Sequence, residues 1–93
     1  MIEVNEYFDG NVKSLSLKTE TLPATVGVML PGKYVFNTGD KEKVTVISGA
    51  LNIRLSDDAD EKTFGVGDSF DVAENSAFDV RVESETAYLC VYG

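Results

Sequence analysis

The 93-residue chain contains no histidine, no tryptophan, a single cysteine and two prolines. Each scarcity removes a class of chemistry. Without imidazole there is no Ser-His-Asp or Cys-His nucleophile and no metal site that depends on histidine. One cysteine excludes an internal disulfide, a zinc ribbon and a CxxC redox pair, and fits a reducing compartment. Bases are also few: 8 Lys and Arg against 16 Asp and Glu leave a net charge of −8. The cations Lys13, Lys18, Lys33, Lys41, Lys43, Arg54, Lys62 and Arg81 are scattered along the chain. No stripe gathers a nucleic acid, so DNA and RNA are excluded as partners. No apolar run approaches the roughly 18 residues of a membrane span. Met1-Ile2-Glu3-Val4-Asn5-Glu6 has neither a basic segment nor an apolar core, so no secretory signal is expected and the expected location is cytoplasmic.

What is present is a composition that is 43% hydrophobic, enough for one core in one domain. Strands are expected over Val12–Leu17, Ala24–Leu30, Lys33–Asn37, Lys43–Ile47, Ala50–Leu55, Lys62–Phe64, Ser69–Val72, Ala77–Glu83 and Thr86–Tyr92. Leu51, Ile53 and Leu55 alternate with Asn52 and Arg54, and Phe78, Val80 and Val82 alternate with Asp79 and Arg81. Turn residues recur about every ten positions, at Pro31-Gly32, Gly39-Asp40, Ser48-Gly49, Asp57-Asp58-Ala59-Asp60, Gly65-Val66-Gly67-Asp68 and Glu74-Asn75. No window sustains a helical period, and only Glu3–Phe8 suggests a short turn before the first strand. Many short strands in one small domain imply an all-β sandwich or barrel.

Two segments then resemble cupin motifs. Pro31-Gly32-Lys33-Tyr34-Val35-Phe36, followed by Glu42 and Gly49, is similar to the first motif. Gly67-Asp68-Ser69-Phe70-Asp71-Val72-Ala73-Glu74-Asn75-Ser76-Ala77-Phe78 is similar to the second, with Ala73 where proline is usual. Across its whole length the chain resembles the small pyrimidine/purine nucleoside phosphorylases. The resemblance is carried by Asn5-Glu6-Tyr7-Phe8 with Gly10, Val12-Lys13-Ser14, Thr25-Val26-Gly27-Val28-Met29, Thr45-Val46-Ile47-Ser48-Gly49-Ala50-Leu51-Asn52 and Tyr88-Leu89-Cys90-Val91-Tyr92. It implies a single cupin-type, jelly-roll-like domain over 1–93. It also implies cytoplasmic enzymes that split nucleosides with phosphate into ribose 1-phosphate and free base, a pentosyl transfer of broad specificity.

The metal-ligand positions of a cupin fall here on Phe36, Thr38, Glu42 and Phe78. One carboxylate and one hydroxyl beside two phenyl rings make a poor divalent site, so a metal-dependent dioxygenase or isomerase is disfavoured and no cofactor is expected, phosphate being a co-substrate. Tyr34, Phe36, Thr38, Glu42, Phe70 and Phe78 instead offer an aromatic lining. Rings accept the face of any base without reading its edge. On periodicity alone the same rings read as the core of a small sandwich, and the resemblance is what makes them a lining.

Phosphate is already a nucleophile, so phosphorolysis demands no histidine base; placement of the reactants and support for oxocarbenium-like charge suffice. Glu42 is assigned to the sugar cation or its hydroxyls, and Tyr34 or Tyr92 to the sugar or leaving base. Lys13 is assigned to the phosphate. Arg54 and Arg81 fall on the opposite strand faces, toward solvent or an interface.

Three further features read as structural. Asp57-Asp58-Ala59-Asp60-Glu61 lacks the glycine and spacing of a calcium loop and reads as a solvated hairpin tip. Gly65-Val66-Gly67 has no following helix and reads as a turn. Cys90, with no base beside it, reads as a small buried apolar residue. The competing function is a non-enzymatic cupin that binds a small metabolite. A domain of this size buries a modest fraction of its surface, so a homodimer is expected.

Overall fold

The computed structural model describes residues 1–56 and 60–93. Among them are ten strands: β1 (Val4–Tyr7), β2 (Val12–Lys18), β3 (Pro23–Met29), β4 (Gly32–Asn37), β5 (Glu42–Ser48), β6 (Ala50–Arg54), β7 (Lys62–Gly65), β8 (Ser69–Val72), β9 (Ala77–Val82) and β10 (Thr86–Tyr92). They pair antiparallel into a six-stranded sheet, β1-β2-β3-β10-β5-β8, and a four-stranded sheet, β4-β9-β6-β7. This is the all-β, cupin-type sandwich that the turn spacing and the two motifs imply.

One strand differs from the sequence reading. Val4–Tyr7, expected as a turn, is the edge strand β1, and the turn itself is the 3₁₀ segment Phe8–Gly10. The four residues are too few to show alternation, and their face is read only through the partner: Asn5 pairs with Ser14 and Tyr7 with Val12. The expected hairpin tip lies, at Asp57–Ala59, outside the described residues.

Alternation sets which side chains meet between the sheets. Leu51, Ile53, Val80 and Val82 from one sheet pack on Val12, Val44, Val46 and Phe70 from the other, all buried. The chain crosses from β5 to β6 through Ser48-Gly49, where Gly49 has φ +88°. A Cβ there would lie 2.5 Å from Thr86 Oγ1 and 2.8 Å from the Glu85 carbonyl, so only glycine fits. The freed space lets Thr86 Oγ1 donate to the Ala50 carbonyl at 3.0 Å and accept from its N–H at 3.2 Å. The crossover thereby fixes β6 against β10.

The outer faces differ in character. On the four-stranded sheet Arg54 pairs with Asp79 at 2.6 Å, and Arg81 with Glu61 at 2.6 Å and Glu83 at 2.5 Å. Both arginines thus face outward, as their strand parity implies. The outer face of the six-stranded sheet carries an apolar patch on β2 and β3, with Leu15, Leu17, Val26 and Val28 exposed.

Candidate active site

Between the sheets lies a cavity of about 270 Å³, near the lower bound of small-molecule sites, which begin at about 300 Å³. The four-stranded sheet and its adjoining loop give it Phe36, Asn37, Phe78 and Val80. The six-stranded sheet gives it Glu42, Phe70, Tyr88, Cys90 and Tyr92, with Ser14 and Tyr7 from β2 and β1.

One side of the cavity is aromatic. Phe36 stacks on Phe78 with ring centroids 5.7 Å apart and 25° between planes, and Phe70 meets Phe78 edge-on at 6.3 Å. Pairing explains the stack, because Phe36 and Phe78 are directly opposed across β4 and β9.

The other side carries polar groups, supplied mainly by β10. Its inward positions are Thr86, Tyr88, Cys90 and Tyr92, where a purely structural strand would carry aliphatics. Tyr92 is opposed by Glu42 and Cys90 by Val44 across β5. The Cys90 thiol donates to Glu42 Oε1 at 3.3 Å. The Tyr92 hydroxyl sits 3.0 Å from Thr25 Oγ1, and the Tyr88 hydroxyl stands next to Ser14. Desolvation raises the Glu42 pKa above its ordinary 4.5, partly offset by the thiol hydrogen bond. Burial pushes Cys90 up to about 12, and the Glu42 charge beside it adds to the rise. Burial likewise raises Tyr88 to about 12, and raises Tyr92. At neutral pH the thiol and both phenols keep their protons and serve as donors.

The structure brings Glu42, Phe36, Phe70, Phe78 and Tyr92 to the cavity and places three other assigned residues elsewhere. Tyr34 is buried in the core, and its hydroxyl donates to the Leu30 carbonyl at 2.6 Å. Its strand parity is inward, yet it does not line the cavity, so it is not placed to act on substrate. Thr38 is a clamp between loops: its hydroxyl donates to the Ala73 carbonyl at 2.7 Å and accepts from the Ser76 N–H at 2.9 Å. With the hydroxyl so engaged it is not a cavity ligand. Lys13 shares the outward face with Leu15 and Leu17, and its ammonium is 3.8 Å from Glu6. Buried Val12 and Ser14 on either side of it turn inward, and Lys13 therefore turns away from the cavity. Tyr7, Ser14, Tyr88 and Cys90 were not assigned to the site. For Tyr88 and Cys90 the signal is the run of hydroxyl and thiol groups at alternate positions of β10; Tyr7 and Ser14 carry no such signal.

Of the four cupin ligand positions, only Glu42 offers an oxygen to the cavity. Phe36 and Phe78 offer rings and Thr38 is committed elsewhere. No cluster of three or more His, Cys, Asp or Glu side chains suited to a metal occurs among the described residues.

A sequence model of the pyrimidine/purine nucleoside phosphorylases matches residues 2–92. The chain belongs to this family. A pyrimidine/purine nucleoside phosphorylase of Magnetococcus marinus is 53% identical over 93 residues, all of both chains. One from Vibrio cholerae is 54% identical over 92 residues, 99% of this chain and 97% of its own. Among solved structures, a protein of unknown function from Vibrio parahaemolyticus superposes with a TM-score of 0.95 at 46% identity, over 100% of this chain and 99% of its own. An RmlC-like cupin from Shewanella frigidimarina shares the fold at a TM-score of 0.76 and 20% identity, over 98% of this chain and 82% of its own. Within this family fold, the Phe36–Phe78 stack and the Glu42–Cys90–Tyr92 group form the two opposed sides of one cavity.

Proposed function

We propose that the protein is a nucleoside phosphorylase of broad specificity, cleaving purine and pyrimidine nucleosides with phosphate to ribose 1-phosphate and free base. The carrying observation is a cavity with stacked rings on one side and a desolvated carboxyl with two phenols on the other, in a chain of this family. The base lies against Phe36, Phe78 and Phe70, which favour any planar heterocycle. The ribose faces Glu42 and Tyr92. Ionised Glu42 supports the positive charge that develops at the anomeric carbon, and the partial desolvation of its carboxyl makes that support stronger than in solution. The Tyr92 hydroxyl, fully protonated, donates to the sugar or the departing base in the role that Tyr34 is not placed to fill. Phosphate supplies the nucleophile, so the side chains align the reactants and need not generate one.

No metal takes part in this scheme, because a single inward carboxylate among the four cupin ligand positions is a poor set for a divalent ion. The protein works as a homodimer, joined through the apolar outer face around Leu15, Leu17, Val26 and Val28, where a two-fold axis would set one sheet on its copy. It works in the cytoplasm, where nucleosides and phosphate both occur; no helix among the described residues is long and apolar enough to cross a membrane.

A second reading, a nucleoside-binding module without turnover, draws on the absence of Lys and Arg from the cavity lining among the described residues. Incubating chelator-treated protein with inosine and with uridine, with and without phosphate, separates the two. Free base appearing only with phosphate supports the enzyme; binding without release of base supports the module.

A further inference from the structure

The segment Asn5-Glu6-Tyr7-Phe8-Asp9-Gly10 has no part in the scheme above, and its geometry is unusual. Phe8 (φ 54°), Asp9 (φ 56°) and Gly10 (φ 86°) follow one another in the left-handed region. A bulky residue there is strained, and such strain persists only where surrounding contacts impose it. The contacts are present on both sides. The Asn11 backbone N–H and side-chain amide both donate to the Phe8 carbonyl, at 3.1 and 2.8 Å. The Phe8 ring, though 42% exposed, lies 5.0 Å from Tyr34 and 5.4 Å edge-on from Phe36, centroid to centroid. Phe36 is itself a wall of the cavity.

The strand before this turn reaches the opposite side of the cavity. Tyr7 lines it and is 45% exposed. Asn5 donates from one amide to Ser14 Oγ at 3.2 Å and Ser16 Oγ at 3.1 Å, and Ser14 lines the cavity beside Tyr88. Among the described residues this short edge strand pairs only with β2; it touches the polar wall through Asn5 and Tyr7, and the turn that follows it touches the aromatic wall through Phe8.

We propose that Asn5–Gly10 is a strap closing the nucleoside site, in which Tyr7 contacts the bound nucleoside and Phe8, docked on Tyr34 and Phe36, is the latch that sets Tyr7 in place. Tyr7 is a binding residue and Phe8 a positioning residue. The left-handed turn aims the two consecutive rings at different targets, which an extended strand would send to opposite faces of the sheet. The inference rests on the nucleoside reading of the cavity, and its test is built to fail separately from that reading.

The test is nitration of the intact protein by tetranitromethane, read by peptide mass spectrometry, alongside steady-state kinetics. Tyr7 is the exposed tyrosine; Tyr34 and Tyr88 are buried. Saturating uridine or inosine is expected to protect Tyr7. Tyr7→Phe is expected to raise the KM of both nucleosides about tenfold, the scale of one hydrogen bond, with the KM of phosphate and Tm unchanged. Phe8→Ala is expected to raise the nucleoside KM with little change in kcat, and Phe8→Tyr to restore it. Protection without turnover in the wild type would keep the strap and remove the phosphorylase. Turnover with unprotected Tyr7, or nucleoside KM values within twofold of wild type in folded Tyr7→Phe and Phe8→Ala, would overturn the strap alone. Neither turnover nor protection would overturn both.

Discussion

The Cys90 thiol donates its hydrogen to Glu42 Oε1 across 3.3 Å, inside a cavity walled by phenyl rings. Burial disfavours the carboxylate and the thiolate alike; the thiol hydrogen bond partly offsets the rise at Glu42, while the Glu42 charge adds to the rise at Cys90. Glu42 ionises at a cost, and Cys90 remains a thiol.

That relationship makes stability depend on pH in a defined direction. The folded-state pKa of Glu42 lies above its unfolded value of 4.5, so the folded state binds more protons than the unfolded state through this window. Stability tied to Glu42 is complete below the unfolded pKa and is lost as pH rises through the folded one. Glu42→Gln keeps the shape and removes the charge. Thermal melts are expected to show the variant more stable than wild type at pH 7, with the difference vanishing toward pH 4. A wild type more stable than Glu42→Gln at neutral pH would contradict the desolvation argument. Turnover should fall by about 10²-fold or more in the same variant, the scale of a preorganised electrostatic group.

Cys90 gives an independent check on the same pair. A thiol with its pKa at about 12 and little exposure reacts slowly. Native protein at pH 8 is expected to resist iodoacetamide over hours and to react promptly once unfolded in denaturant. Rapid native labelling would mean that the thiol is ionised or open to solvent.

Gly27 faces Tyr88 across β3 and β10, and the ring lies where a side chain would be. A Cβ on Gly27 would stand 2.5 Å from the Tyr88 hydroxyl and 2.6 Å from Cζ. Gly27→Ala must therefore displace the ring. The expected loss is about 1–3 kcal/mol, as for other overpacked sites, measured as a lower denaturation midpoint, with nucleoside KM raised because the polar wall has moved.

Much of this architecture was legible in the residues. Nine strands follow from alternation and turn chemistry, because a strand with one face buried, such as β8 or β9, leaves a period of two in the sequence. β1 escaped because a short edge strand buries little and takes its face from β2. At the site, parity identified the inward rings Phe36, Phe70 and Phe78, since opposed strands bring such positions together. Parity alone could not separate lining from core. Tyr34 and Phe36 face the same way, yet one hydroxyl is spent on the Leu30 carbonyl while the other ring borders the cavity. Thr38 is a related case: it follows the last residue of β4, where inward direction means a loop contact. Lys13 failed on the converse point, because Leu15 and Leu17 mark an apolar outer face, and sharing their parity carries a lysine outward.

Thr38 supplies a test that separates clamp from ligand. Thr38→Val is nearly isosteric and leaves the Ala73 carbonyl and the Ser76 N–H without their partner. The expected cost is about 1–3 kcal/mol of stability. Measured well below its melting temperature, the variant should retain nucleoside and phosphate KM values. A selective rise in either KM with unchanged stability would return Thr38 to the site.

The aromatic wall carries the prediction on specificity. If bases are held by ring faces, removing one ring weakens all of them together, since every base presents a π-face and none is read by its edge. Phe36 is half-buried, stacks on Phe78 at 5.7 Å and borders the cavity, so its truncation opens the wall without emptying the central core. Phe36→Ala is expected to raise KM for inosine and for uridine by similar factors. A stacking contribution of about 1–3 kcal/mol corresponds to about 5- to 150-fold. The KM for phosphate should stay constant, because no part of the aromatic wall offers an anion a donor. A change confined to purines or to pyrimidines would mean that the base is read by hydrogen bonds elsewhere in the cavity, and the stacking account of broad specificity would fail.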